Sequence, residues 1–327
     1  MAAPVPAPVV GFIGLGAMGA PMARHILSGG FGLVVHDSRH DAAAEHLDAG
    51  ALWADSPQEV ARRCDVVLSC LPSIDVVERV MTGPQGVLTG LGDGKAVFEM
   101  STNAPEVVAR LHDAFAERGA HFLDAPVTGG AKGAANRRLT VFIGGDGPSV
   151  DRYRPVLDCF ADRVIHLGPS GTGTVAKLVN NCASQTLYLV LAEVFALGMK
   201  SGADPLPLWE ALRSGASGRR RVFDGMIDEF LPGRYTPPNA ALPVFVKDMT
   251  LATDLARDLA VPMPFATRAL EDYRQAMARG WQDRDGRVAM SLALERLGLT
   301  LAEDPEAIAG ILRRDPPAPS DSKRGSG

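Results

Sequence analysis

Short apolar runs recur along the first half of the chain with amphipathic stretches between them: Val9 to Ile13, Leu33 to Asp37, Asp65 to Cys70, Ala96 to Met100, His121 to Leu123, Val141 to Ile143 and Val164 to Leu167. Strands alternating with helices build a mostly parallel, doubly wound α/β sheet. Past Gly168 the strand pattern stops. The segment from Gly173 to about Ser201 has no proline, and no further glycine until Gly198. Helical spacing then returns at about 204–214, 243–260, 264–279 and 285–297, so the second half reads as all helical. Leu231-Pro232-Gly233 and Thr236-Pro237-Pro238 mark loops between those helices. The expected organisation is an α/β domain over 8–168, a helical domain over 169–305 and a disordered tail over 306–327. The residues from Asp315 onward are too polar and too proline-rich to pack.

Composition removes several classes. With 327 residues, 46% of them hydrophobic, 22% charged and a formal net charge of −5, the chain lacks the cationic face that a nucleic-acid or membrane-surface binder needs. Cys64, Cys70, Cys159 and Cys182 are scattered in apolar contexts without metal-ligand spacing. They are expected to be reduced core residues, and no metal is expected. The N-terminus has no charged n-region followed by an apolar h-region, and no run is long enough for a membrane span. A cytoplasmic location is the expectation.

The first strand ends in Gly11-Phe-Ile-Gly14-Leu15-Gly16-Ala17-Met18-Gly19. A G-x-G-x-x-G spacing alone is a common glycine turn. Here it lies between a strand and a helix, with Asp37 about twenty residues downstream at the end of the next strand. Gly14 permits the tight turn, Gly16 lets backbone N–H groups approach a pyrophosphate, and Gly19 lets helix and strand pack closely. With Leu15, Ala17 and Met18 they form the expected dinucleotide-binding loop. Asp37 can accept both ribose hydroxyls of NAD and would repel a 2′-phosphate. Arg39 could pair with that phosphate, so NAD is favoured over NADP.

In the long helical segment Lys177, Asn181, Ser184 and Tyr188 fall on one stripe, while Leu178, Val179, Cys182 and Leu189 lie on apolar faces. Such a stripe is either a solvated face or a functional one. A solvated stripe usually carries several charges, and here the next charged residue after Lys177 is Glu193. A single cation on a buried helix points to function.

Four separated stretches, GFIGLGAMGAPMA (11–23), DAPVTGGAKGA (124–134), GTGTVAKLVNN (171–181) and KDMTLA (247–252), resemble in sequence and order the β-hydroxyacid dehydrogenase family, which contains 3-hydroxyisobutyrate dehydrogenase and tartronate semialdehyde reductase. The resemblance covers about residues 8–300. It implies an N-terminal Rossmann domain joined by a long helix to a helical domain, with a small carboxylate substrate in the cleft between them, and a homodimer or homotetramer. It places the acid/base lysine on Lys177 and the asparagine one turn later on Asn181. The substrate-carboxylate loop falls on Thr128, Gly129 and Gly130, and a second cleft lysine on Lys247. Leu71 and Pro72 fall in the loop under the cofactor, and Thr102 beside the nicotinamide ribose. A lysine in reach of the alcohol can accept its proton, and a Thr-Gly-Gly segment offers a hydroxyl and open N–H groups to an anion.

Three departures stand out. Thr128 replaces the more usual serine; Arg137 stands where glycine is usual, although arginine tolerates positive φ poorly; and Ser217-Gly-Arg219-Arg220-Arg221 replaces a serine- and tryptophan-bearing segment. Those arginines are a solvated loop or select a substrate with an anionic far end. The alternative function is an imine reductase or a non-catalytic cofactor-binding relative, which would have no need of Lys177.

Overall fold

The computed structural model describes residues 7–200, 202–215, 223–258 and 263–314. The chain forms two compact units, Met1–Asn180 and Asn181–Gly327. The first contains β1 (Val10–Ile13), α1 (Gly19–Ser28), β2 (Leu33–His36), α2 (Ala44–Asp48), β3 (Leu52–Trp53), α3 (Pro57–Arg63), β4 (Val66–Ser69), α4 (Ile74–Thr82), α5 (Val87–Gly90) and β5 (Ala96–Glu99). It continues through α6 (Pro105–Ala116), β6 (His121–Asp124), β7 (Val127–Thr128), α7 (Gly130–Ala135), β8 (Leu139–Gly144), α8 (Gly147–Leu157) and β9 (Ala161–Gly168). The long helix α9 (Thr172–Lys200) starts in this unit and runs into the second.

The strands form one sheet in the order β3-β2-β1-β4-β5-β6-β8-β7, with β9 on β8. Strands β3 to β6 along this path pair in parallel. Strand β8 runs antiparallel to β6 and β7, so the sheet is mixed at that side. Because β1 lies between β2 and β4, the chain reverses its winding there, and the carboxyl ends of β1 and β4 open the crevice where α/β sheets take ligands. Every residue of β1, β4 and β5 is buried, which is why these runs, Ser69 and Glu99 at their ends apart, are apolar throughout rather than alternating. Val10, Phe12, Val35, Val66, Leu68 and Phe98 are fully buried, each side chain of this size contributing about 1.5–3 kcal/mol.

The seven strands read from the sequence are present, and two more, β3 and β7, are added. Each of these has two residues, too few for any hydrophobic period to show.

The second unit contains α10 (Pro205–Ser214), α11 (Leu242–Asp258), α12 (Pro264–Ala278), α13 (Ser291–Glu295) and α14 (Pro305–Arg314). Its core includes Trp209, Phe230, Met249, Tyr273 and Met290, all fully buried. The pattern at 285–297 is not one helix: Gly286–Met290 is a 3₁₀ turn ahead of α13. Asp285 sets this break, since its buried carboxylate accepts Arg287 N–H at 2.9 Å and the N–H groups of Asn239 and Ala240 at 3.0 Å. A second correction concerns the tail. Residues 306–314 belong to α14, where Ile308 and Ile311 are 3% and 5% exposed. The expected disorder overlooked that these two isoleucines, three apart, share a helix face. Residues 315–327 lie outside the described residues.

Replacing Ile308 with alanine is therefore expected to lower stability by about 2–5 kcal/mol, the usual cost of emptying a core site. Urea unfolding measures this; a midpoint unchanged from wild type would mean that α14 is not packed.

Candidate active site

At the end of β1 three glycines meet three different demands. Gly14 has φ +96°, and a Cβ there would lie 2.2 Å from the Cys70 carbonyl oxygen. A Cβ on Gly19 would lie 1.8 Å from the Gly14 carbonyl oxygen. Both are required by the fold itself. A Cβ on Gly16 would meet nothing within 4 Å, so the protein's own packing leaves that position open. Helix α1 begins beside it with no side-chain cap and no acid in its first turn. An uncapped helix start behind a bare glycine fits a bound pyrophosphate, which its N–H groups and dipole attract.

Asp37 follows β2 and sits against this loop. Its Oδ2 accepts the Leu15 N–H at 2.7 Å and its Oδ1 the Arg39 N–H at 2.9 Å. The carboxylate thus orders the loop while keeping lone pairs for ribose hydroxyls. The side chain of Arg39 is exposed.

Across the crevice, the loops after β4 and β5 are joined beneath their surface. Glu99, 1% exposed, accepts the Ser101 N–H at 3.1 and 3.2 Å, together with the Ser101 hydroxyl and the Asn103 amide. Ser101 Oγ in turn accepts the Leu71 N–H at 2.7 Å. Leu71 and Thr102 are therefore brought together through one buried carboxylate. The sequence reading passed over Glu99, though an acid inside the apolar run Ala96 to Met100 is the signal that it has buried partners.

Thr128 ends β7, and Gly129 and Gly130 follow with φ of +127° and +63°. Two successive left-handed residues demand glycine. A Cβ on Gly130 would meet nothing within 4 Å, so the segment is open above its backbone. Asn180, from α9, donates its amide to Thr128 Oγ1 at 3.4 Å. The start of α9 is fixed by Asp124 at the end of β6. This carboxylate, 1% exposed, accepts Gly171 N–H at 2.8 Å and Thr174 N–H at 2.6 Å. Burial pushes the Asp124 carboxyl above its ordinary range, although those two N–H groups act in the opposite direction. Gly173 lets the helix approach so closely that a Cβ would lie 2.6 Å from the Phe142 carbonyl oxygen. Lys177 stands one turn further along α9 and is half-buried. Asn180 and Asp124 were not singled out from sequence. Asp124 acts on residues 47 and 50 positions away, which no local spacing reveals.

Asn181 follows on α9, four residues after Lys177. In the second unit its amide nitrogen donates to Asp248 Oδ2, and Lys247 Nζ lies 3.3 Å from Asp248 Oδ1. Asp248 is 2% exposed, so the pair is not the exposed one that a helix start would give: α11 begins at Leu242 and carries Lys247 and Asp248 well inside it. A carboxylate only accepts, so the amide nitrogen of Asn181 faces Asp248.

Arg137 keeps φ +56° although it stands where glycine is usual, a strain of about 1 kcal/mol. Its Nε donates to His25 Nδ1 at 3.1 Å, while His25 Nε2 donates to the Ala135 carbonyl at 3.0 Å. Ser217 and Arg219 to Arg221 lie outside the described residues. The four cysteines are free thiols; Cys64 and Cys182 are buried, whereas Cys70 and Cys159 are only half-buried because they sit beyond strand and helix ends. Burial pushes the Cys64 thiol up to about 12, which removes it as a nucleophile. Among the described residues no helix is long and apolar enough to cross a membrane.

The glycine loop yields a paired expectation. Gly19→Ala should cost about 1–3 kcal/mol of stability through overpacking. Gly16→Ala should leave the melting temperature unchanged and weaken NADH binding, as titration of nicotinamide fluorescence would show. Equal NADH affinity in Gly16→Ala and wild type would remove the pyrophosphate from this loop.

Comparison with known proteins agrees with this geometry. Residues 9–168 match the family model for the NAD binding domain of 6-phosphogluconate dehydrogenase, and residues 171–293 match that for the NAD-binding of NADP-dependent 3-hydroxyisobutyrate dehydrogenase. The NAD-dependent L-serine dehydrogenase of Pseudomonas aeruginosa is 35% identical over 288 residues, covering 86% of this chain and 97% of that protein. The 2-(hydroxymethyl)glutarate dehydrogenase of Eubacterium barkeri is 30% identical over 293 residues, 90% of this chain and 97% of that protein. The crystal structure of a 3-hydroxyisobutyrate dehydrogenase from Salmonella typhimurium superposes with a TM-score of 0.77 at 30% identity, covering 86% of this chain and 99% of that one. A glycine loop with an open central position, a helix start held by a buried aspartate and these relatives together show that the chain belongs to the β-hydroxyacid dehydrogenase family and is a nicotinamide-dependent oxidoreductase of hydroxyacids.

Proposed function

We propose that the chain interconverts a small β-hydroxyacid of the 3-hydroxyisobutyrate kind and its carbonyl product, using NAD in preference to NADP. The observation that carries the reading is the start of α9, where Asp124 holds Gly171 and Thr174 and so places Lys177 on the helix turn that follows. The amide of Asn180 on Thr128 binds that same turn to the Thr128-Gly129-Gly130 segment.

In this reading the substrate carboxylate accepts hydrogen bonds from Thr128 and the N–H groups of Gly129 and Gly130, an anion binding about twice as strongly there as a neutral group. Lys177, as the neutral amine, takes the hydroxyl proton while the alcohol carbon becomes a carbonyl, and returns it during reduction. Asn181, its amide set by Asp248, orients the hydroxyl. Bound nicotinamide supplies the hydride acceptor. The loop Gly14 to Met18, Asp37, Leu71, Pro72, Thr102 and Lys247 are the proposed cofactor contacts. NAD is supported by the Asp37 carboxylate, which would repel a 2′-phosphate, and by the NAD-dependent name of the Pseudomonas aeruginosa relative. Lys177 favours this chemistry over imine reduction, for which that lysine is generally replaced. A homodimer or homotetramer is the proposed assembly, on family precedent.

Two measurements test the reading. Lys177→Ala should lower kcat by about two to four orders of magnitude with NAD affinity nearly unchanged. In wild type, kcat for alcohol oxidation should rise with pH, since only the neutral amine is a base, and that inflection should vanish in the variant. Damage confined to KM would make Lys177 a carboxylate anchor instead. Separately, kcat/KM should be higher with NAD than with NADP; a tenfold preference for NADP would mean that Arg39 outweighs Asp37.

A further inference from the structure

Of the residues proposed to touch the cofactor, those in the first unit lie on two sides of the crevice. Gly14 to Met18 and Asp37 follow β1 and β2, while Leu71, Pro72 and Thr102 follow β4 and β5. In a doubly wound sheet each half takes one mononucleotide, so the first set faces the adenosine end and the second the nicotinamide end. The first set is organised by its own backbone and by Asp37. The second is organised by Glu99.

We infer that Glu99 is a positioning residue for the nicotinamide half of the cofactor, acting through Ser101 and Asn103 on Leu71 and Thr102. This rests on the cofactor reading above. The carboxylate gathers donors from the loop after β5, namely the Ser101 N–H, the Ser101 hydroxyl and the Asn103 amide, and from the end of β4, the Ser69 hydroxyl at 3.5 Å. The chain from Leu71 N–H to Ser101 Oγ to Glu99 ties the loop after β4 to the loop after β5. Thr102 stands half-buried between Ser101 and Asn103, which are 6% and 1% exposed and both held by the same carboxylate. Its backbone is therefore fixed on either side while its own side chain remains partly open. Asn103 adds an independent sign of a missing partner. Its nitrogen faces Glu99, and its buried Oδ1 has no hydrogen-bond partner among the described residues. A buried acceptor left without a donor is destabilising, and a donor on a bound molecule would relieve it.

Only a carboxylate can accept from all these groups at once. Glutamine keeps the size of Glu99, yet its NH₂ would point at one set of donors. The loops would then lose their common anchor without leaving a cavity.

The test separates the two halves of the cofactor. With the full-length protein, NADH affinity is measured by fluorescence titration and AMP affinity by calorimetry, for wild type, Glu99→Gln and Ser101→Ala. Ser101→Ala cuts the Leu71 link and serves if Glu99→Gln fails to fold. The expected result is a loss of NADH affinity of about tenfold, the scale of one charge-assisted hydrogen bond, with AMP affinity changed less than twofold. Unchanged NADH affinity, or an equal loss for NADH and AMP, would overturn the inference and leave Glu99 a purely structural acid. Failure of wild type to bind NADH would instead overturn the cofactor reading itself.

Discussion

The carboxylate of Asp124 at the beginning of α9 is the contact on which the rest of the site depends. A helix start leaves several N–H groups without partners, and most helices solve this with a neighbouring side chain. Here the acceptor arrives from the end of a central strand, so the long helix takes its position from the sheet rather than from its own loop. Gly173 and Gly144 make room for this: a Cβ on Gly144 would lie 2.6 Å from the Asp124 carboxylate. One buried acid thus converts the rigidity of β6 into a defined origin for every side chain on the first turns of α9. Thr128 lies four residues past the same Asp124, so the segment proposed to bind the substrate carboxylate and the lysine are referred to a common point.

Glu99 and Asp248 repeat this device. Each is a nearly fully buried acid: Glu99 holds N–H, hydroxyl and amide donors, and Asp248 holds the Asn181 amide and the Lys247 ammonium. Lysine and asparagine would have too much rotational freedom to act from the surface of a helix. Fixed acceptors remove it, because a carboxylate dictates which end of an amide faces it.

How far the sequence disclosed all this follows from the range of each interaction. The glycine loop, β1, Asp37 and the long helix were legible because their signals are local: a strand, a turn and a helix in consecutive residues. The lysine could be singled out because no other charged residue follows it on α9 before Glu193. Strands β3 and β7 had too few residues to show a period, and α14 was obscured by the proline-rich residues beyond it. The orienting acids were the least legible. Asp248 carries no local sign of burial beside Lys247, and its partner Asn181 is 67 residues away. Asp124 lies in an extended segment and gives no sign of the helix it holds.

The hydrogen bond from Leu15 to Asp37 carries a consequence for redesign. Exchanging cofactor preference in enzymes of this architecture usually begins by deleting the acid at the end of the second strand, to admit a phosphate. In this chain that acid also serves as an internal brace for the glycine loop, so a simple deletion would unsettle the loop proposed to hold the pyrophosphate along with the proposed ribose contact. A successful exchange would have to retain an uncharged acceptor for the Leu15 amide, such as the side-chain carbonyl of asparagine, before any new cation is introduced nearby. In the proposed reading, selectivity and loop order rest on the same carboxylate.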